Sequence, residues 1–288
     1  MLKVGAMSIC LEPLLEGREP TCERILHAAA AVGVEGVEFY ETHWGADPRD
    51  IDGAGALQAL GAELGVEVFA VGSGTRLGYC DQRSEAALST LKNQIRAAAA
   101  VGARVVTFPA IDSQPVPEGR AAAAGGLPFT QAVGPLVEQV QELAELARDC
   151  DVQLALLNHC AFVGASWHQE WVVKLVDRPE VGTCLDPGNY LYYECEDPIQ
   201  ATRRLAGTVC NVRLGDWVRR DEQEIVAAFR CQGWLGIWAP AIFGQGEVDH
   251  RACVRILRQN GYDGYLSLKS VGSEFGRSLE GVKALLAY

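Results

Sequence analysis

Three charged side chains, each close to the end of a short apolar run, could share one chemical site. They are Asp186, Arg213 and Lys269. One carboxylate beside two cations carries a net charge of about +1. Such a site could polarise a carbonyl group or hold a carboxylate or phosphate, so we expect a small polar substrate, with anionic compounds among the candidates. The alternative is an ion network that fills its cavity and does no chemistry.

Proton transfer would also require a base, and two side chains are candidates. A partly desolvated Lys269 beside Arg213 should have a lowered pKa, which would let it act as a base or form a Schiff base with a carbonyl substrate. His159 could exchange protons near pH 7, or could instead hydrogen-bond a neighbouring loop. The predicted catalytic residues are Lys269, Asp186, Arg213 and His159.

Other residues near the ends of the apolar runs are candidates for substrate binding. Glu38 could bind a hydroxyl group, act as an acid, or be paired with a neighbour. His43 and Trp44 could line a cleft or form a surface cap. Asp216 could position Arg213 or the substrate, or could cap a helix. The full predicted set is Glu38, His43, Trp44, Asn158, Asn189, Asp216 and Trp217.

Eight apolar runs alternate with eight amphipathic stretches and would position these residues. The runs predict strands near 3–9, 35–40, 66–71, 104–110, 152–158, 181–186, 209–214 and 265–269. The stretches predict helices near 19–32, 52–64, 84–100, 133–149, 168–176, 197–206, 249–260 and 278–287. This alternation predicts an α/β protein, a single (β/α)8 TIM barrel domain over residues 1–288, with its chemistry at the C-terminal ends of the strands.

A repeated pattern supports the barrel. The segment 28–39 reads AAAAVGVEGVEF and 97–108 reads AAAAVGARVVTF, each a helix end, a glycine and a strand. An open doubly wound sheet is the alternative, but no Gly-x-Gly-x-x-Gly turn follows the first strand. Lid-like insertions are expected near 112–128 and 217–246, the second with a helix at 221–231 and aromatic residues that suit a lid or a subunit contact.

Composition restricts the partners. The net charge of -12 argues against nucleic acid, which requires clustered lysine and arginine. No stretch has the length or composition of a membrane span or a signal peptide, so no membrane partner is expected. The 10 cysteines include no CxxC pair and suit reduced thiols, which favours a cytoplasmic protein. A homodimer is one assembly that the sequence allows.

Four motifs resemble one protein family. They are LALLNH at 154–159, TCLDPGN at 183–189, VRLGD at 212–216 and GYDGYLSLK at 261–269. These segments are similar to the sugar phosphate isomerase/epimerase branch of the xylose isomerase-like TIM barrels. The resemblance extends over nearly the whole chain and implies a barrel that acts on a sugar-like substrate.

The chain departs from that family at the metal site. The resemblance implies Glu, Asp, His and Glu at the ends of strands five to eight, holding manganese, magnesium or zinc. The matching positions here are Leu157, Asp186, Arg213 and Lys269, and Asn189 replaces a substrate-binding histidine. Leucine cannot ligate a hard cation, and neither arginine nor lysine normally does at neutral pH. The sequence therefore predicts no metal and no other cofactor.

The residues and the resemblance together predict a metal-independent isomerase, epimerase, or related lyase or dehydratase. Such an enzyme would move a proton on a small hydroxy- or keto-compound, and a specialised biosynthetic pathway would suit this altered scaffold. A binding or scaffold protein without turnover is one alternative. A metal-dependent sugar isomerase or epimerase with relocated ligands, for instance Glu38, His159, Asp186 and Asp216, is another.

Overall fold

Eight parallel strands form a closed barrel, which confirms the predicted fold class. The computed structural model describes residues 2–111, 129–159, 162–193, 196–232, 236–270 and 274–287. The barrel strands are β1 (Lys3–Met7), β2 (Gly36–Tyr40), β3 (Glu67–Gly72), β4 (Val105–Pro109), β5 (Gln153–Leu157), β6 (Val181–Leu185), β7 (Val209–Leu214) and β10 (Tyr265–Leu268). Each pairs with its neighbours in chain order, and β10 closes the ring between β7 and β1.

Helices surround the barrel at the predicted places. They are α2 (Cys22–Val32), α3 (Asp50–Leu64), α4 (Arg83–Val101), α5 (Phe129–Asp149), α6 (Ser166–Val176), α8 (Pro198–Leu205), α10 (His250–Gln259) and α11 (Phe275–Leu286). Gly33 and Gly102 end α2 and α4 with φ of 72° and 84°, a left-handed conformation that glycine adopts without strain. This cap is the physical reason for the glycine in the repeated pattern.

Several elements were not predicted. Short helices α1 (Ser8–Leu11) and α7 (Pro187–Tyr192) directly follow β1 and β6. The predicted insertion at 217–246 contains an antiparallel pair, β8 (Asp216–Arg219) and β9 (Trp238–Ala241), as well as the expected helix, α9 (Glu222–Gln232). The predicted insertion at 112–128 lies outside the described residues. Within the described ranges, no helix combines the length and apolar character that crossing a membrane requires.

Stacked aromatic rings fill the barrel interior near the N-terminal ends of its strands. The rings of Phe69 and Tyr265 lie 4.1 Å apart and nearly parallel, and both side chains are buried. Gly5 and Gly36 are register partners on β1 and β2. A Cβ atom at Gly36 would lie 2.3 Å from Tyr265 Cε1, and one at Gly5 would lie 2.8 Å from Phe69 Cε1. The two glycines therefore make room for the stacked pair.

Replacing Gly36 with alanine should destabilise the protein. The added methyl group would overpack the stacked rings, so we expect the free energy of unfolding to fall by about 1–3 kcal/mol. Urea unfolding followed by circular dichroism measures this. Gly53→Ala is the matched control, because Gly53 is exposed in α3 with open space around its Cα. The control should gain about 0.5–1 kcal/mol, and a Gly36→Ala protein as stable as the native one would contradict this packing.

Candidate active site

A buried ion pair joins opposite sides of the barrel near the C-terminal ends of its strands. Glu38 on β2 has a fully buried side chain, and that of Arg213 on β7 is 5% exposed. Oε1 of Glu38 accepts hydrogen bonds from Nη2 of Arg213 at 2.5 Å and from Nε at 3.0 Å. Of the three roles predicted for Glu38, the structure therefore shows the paired one.

Three more side chains form hydrogen bonds with Glu38 or Arg213. Ser267 donates to Oε2 of Glu38 at 2.9 Å, and Thr107 donates to Oε1 at 3.2 Å while accepting from Nη2 of Arg213 at 2.6 Å. Asn211 lies 3.5 Å from the same carboxylate. Burial alone would lower the pKa of Arg213, but the charge and hydrogen bonds of Glu38 outweigh burial and raise it. The guanidinium therefore stays charged.

A second ion pair lies at the ends of β6 and β10. Nζ of Lys269 contacts Oδ2 of Asp186 and donates to Oδ1 of Asn189 at 2.9 Å. The side chain of Asp186 is fully buried, whereas that of Lys269 is 21% exposed. Asn158 binds the backbone of Asp186 through both ends of its amide, and Asn189 donates to the carbonyl of Asn158 at 3.1 Å. Lys269 is thus the member of this pair that reaches toward solvent.

The predicted network of Asp186, Arg213 and Lys269 is therefore wrong in its connections. Arg213 pairs with Glu38, and Lys269 pairs with Asp186, because a second buried carboxylate is present. The four charges cancel, so the expected net charge of about +1 is not supplied by this group. The sequence places Arg213 beside Lys269, whereas in the structure the nearest charge to Lys269 is the carboxylate of Asp186.

His159 and Arg76 supply further polar groups at this end of the barrel. His159 follows β5, is exposed, and meets the ring of Tyr193 edge-on at 5.9 Å. Although part of its side chain reaches solvent, desolvation of the rest of the ring, and then the charges of Lys269, Arg76 and Arg213, lower the pKa of His159 to about 4. The imidazole is therefore neutral at pH 7, so its proton exchange should occur well below the predicted range.

Sequence reasoning missed Arg76. It lies in the loop after β3, half-buried, and donates to the carbonyl of Ala110 at 3.2 Å. The loop 73–76 (SGTR) directly after β3 carries polar residues that could have indicated a binding role. That the substrate is anionic stays a prediction, and the positive charge of Arg76 is now what supports it.

Asp216 does not position Arg213. Its carboxylate accepts hydrogen bonds from the backbone N–H groups of Gly244 and Gly246, both at 2.9 Å, and of Trp217 at 3.0 Å. His250 lies 3.7 Å away. The carboxylate therefore holds the segment between β9 and α10 in place through its hydrogen bonds to these backbone donors.

Two predicted cleft residues have other surroundings. Trp44 is buried, and its indole N–H donates to the carbonyl of Ala97 in α4 at 3.2 Å, so it belongs to the packing between barrel and helices. Its predicted place in a substrate cleft stays a prediction. His43 bridges Ser8, at 2.9 Å from Nδ1, and Glu12, at 3.3 Å from Nε2, and its side chain is 4% exposed. It links the loops after β1 and β2.

The described residues at this end do not fit a divalent metal ion. Leu157 packs in an apolar cluster with Cys184 and the Phe69–Tyr265 pair. Asp186 already has the ammonium group of Lys269 beside it, and the guanidinium of Arg213 occupies Glu38. Across the described ranges no three His, Cys, Asp or Glu side chains come together as a metal site, and Asp216 is held elsewhere. The relocated ligand set is therefore not assembled.

Comparison with known proteins gives relatives of several activities. Inosose dehydratase of Clostridium perfringens is 25% identical over 138 residues, which are 47% of this chain and 46% of that protein. The 3-oxo-isoapionate decarboxylase of Pectobacterium atrosepticum is 31% identical over 90 residues, which are 31% of this chain and 29% of that protein. The chain thus aligns with less than half the length of these relatives.

A solved structure agrees in fold over the full chain. The crystal structure of 3-keto-D-glucoside 4-epimerase from E. coli matches with a TM-score of 0.73 and 14% identity, covering 100% of both chains. At this identity the likeness concerns the fold alone. The family model described as xylose isomerase-like TIM barrel matches residues 26–287, which is most of the sequence, and the chain therefore belongs to that family.

Proposed function

We propose that this protein is an enzyme that moves a proton on a small hydroxy- or keto-sugar or a related polyol, without a metal ion. Isomerase, epimerase and dehydratase reactions share this step. One observation carries the proposal. The ammonium group of Lys269 lies beside Asp186 at the strand ends and is partly exposed, so a side-chain cation is available where the substrate would enter.

Removal of a proton next to a carbonyl group places negative charge on the carbonyl oxygen. Lys269 can stabilise that oxygen through its charge and its N–H donors. Nη1 of Arg213 has no partner among the described residues, and it offers a second donor from the floor of the site. The neutral imidazole of His159 can accept the proton. The Asp186 carboxylate holds Lys269 in place.

Two considerations support a sugar-like substrate. The aligned relatives are named for the dehydration of an inosose and the decarboxylation of a 3-oxo sugar acid, which are both reactions next to a carbonyl group. The ammonium group of Lys269 also has three N–H donors, of which Asp186 and Asn189 take two, so the third can donate to a hydroxyl group of a sugar. Lys269 could alternatively act as the base, or could form a Schiff base with the carbonyl carbon.

A binding protein without turnover is the second candidate. Both buried carboxylates at the strand ends are already paired, and Asn158 and Asn189 are bonded to each other and to the second pair. Such a self-satisfied arrangement would be stable without acting on any ligand. Binding of polyols with no proton exchange would favour this candidate.

Proton exchange should persist after metal removal. We expect incubation in D2O with 2-ketohexoses, 3-keto-glucosides and inososes to replace a C–H hydrogen next to the carbonyl of at least one compound, as measured by 1H NMR. Protein treated with EDTA and freed of metal, verified by elemental analysis, should exchange at the same rate. Loss of exchange on chelation, with recovery on adding Mn2+, Mg2+ or Zn2+, would contradict metal independence. No exchange with any compound would contradict the enzyme proposal.

Lys269→Met should reduce the exchange rate at least about 100-fold, because the oxyanion loses its charged donor. The double variant Asp186→Asn/Lys269→Met guards against misfolding, since it leaves no unpaired buried carboxylate. Lys283→Met is the matched control, because Lys283 binds the carbonyl of Val32 in the outer helices. Equal rates for folded Lys269→Met and native protein would exclude this role.

The pH profile should identify the base. If neutral His159 accepts the proton, the rate is constant above about pH 5 and falls as the pH falls through about 4, where the imidazole becomes charged. His159→Gln should then lose most of the activity at pH 7 and should lack this acidic decline. A rate that instead rises in the alkaline range, where ammonium groups lose their protons, would assign the base to Lys269.

A further inference from the structure

Two aromatic side chains form a surface beside the candidate active site, here called the aromatic surface. Tyr192 ends α7, and Trp217 follows β7 at the start of the β8–β9 pair. Their ring centroids are 4.4 Å apart with an interplanar angle of 30°, and both residues are half-buried. Tyr193 extends the group and meets Tyr192 edge-on at 5.0 Å. No step of the proposed proton transfer uses these rings.

Two glycines bring the aromatic surface close to Lys269. A Cβ atom at Gly188 would lie 2.9 Å from Cδ1 and Nε1 of Trp217 and 2.5 Å from the carbonyl oxygen of Gly215. A Cβ atom at Gly215 would lie 2.9 Å from Cε of Lys269. Trp217 therefore rests on Gly188 and Lys269 rests on Gly215, and the two glycines are in contact. The indole and the ammonium group belong to one site.

The indole N–H of Trp217 has no hydrogen-bond partner among the described residues, although the atom is buried. An unpaired buried donor is unfavourable, so it is usually satisfied when a partner is available. The backbone of Trp217 is fixed, since its N–H binds Asp216 and its carbonyl accepts from Glu247 at 2.8 Å. Nε1 lies against Gly188, where an added Cβ atom would be 2.9 Å away, so the indole would have to rotate for this donor to reach a ligand.

We propose that the aromatic surface binds the ring of a cyclic polyol or pyranoside and so selects ring-shaped substrates over open-chain ones. The C–H groups on one face of such a ring would pack on the face of Trp217 that Tyr192 does not cover. The indole N–H would donate to a ring hydroxyl. This inference rests on the proposed function for its substrate class and adds Trp217 as the residue that determines specificity.

Saturation-transfer difference NMR tests the inference without requiring turnover. The probes are myo-inositol and methyl β-D-glucopyranoside as cyclic compounds and sorbitol as the open-chain one. We expect ring C–H signals of the cyclic probes to be saturated from aromatic protein protons, with sorbitol at least about tenfold weaker. Trp217→Ala should weaken cyclic binding about tenfold, while Trp217→Phe keeps the stacking and loses the donor. Trp171→Ala is the control, because Trp171 is 50% exposed on α6.

The binding and exchange measurements distinguish failure of this inference from failure of the proposed function. Equal binding of sorbitol and the cyclic probes, or cyclic binding that folded Trp217→Ala retains, would overturn the role of the aromatic surface even if proton exchange is observed. Cyclic binding that depends on Trp217, without exchange on any keto compound, would support the aromatic surface and remove the enzyme proposal.

Discussion

Two fully buried carboxylates impose the main constraint on this barrel. Glu38 and Asp186 would be very unfavourable as unpaired charges in the interior, and each is neutralised by one cation from another strand. Breaking a buried pair by removing one partner typically costs about 3–5 kcal/mol. The polar groups at the strand ends are arranged around this requirement. Ser267 and Thr107 complete the shell of Glu38, and the two asparagines complete that of Asp186.

Side-chain cations give this site properties different from those of a bound ion. Arg213 is held in place by its hydrogen bonds to Glu38 and Thr107, so its positive charge keeps one position. Lys269 has a flexible stem and partial exposure, so its ammonium group can adjust its position. The division between a fixed and an adaptable cation therefore follows from burial. We therefore expect the proposed chemistry to take place at Lys269, the more exposed of the two cations.

The sequence was sufficient for the fold and for placing Glu38, Arg213 and Lys269 near the strand ends, but it was insufficient for their partners. Periodicity and glycine caps predicted every barrel strand to within two residues at either end. Position alone could not show that Glu38 would bind Arg213 across the barrel, because pairing depends on side-chain direction and reach. The contacts of Trp44 and Asp216 were not predicted for a similar reason. Packing against α4 and binding of backbone amides cannot be inferred from the local sequence.

The Phe69–Tyr265 stack closes one end of the barrel. Among the described residues, this stack blocks the barrel interior at that end, so a molecule bound near Lys269 would enter and leave from the C-terminal side of the strands. A bulky group attached to such a molecule would then point outward on that side.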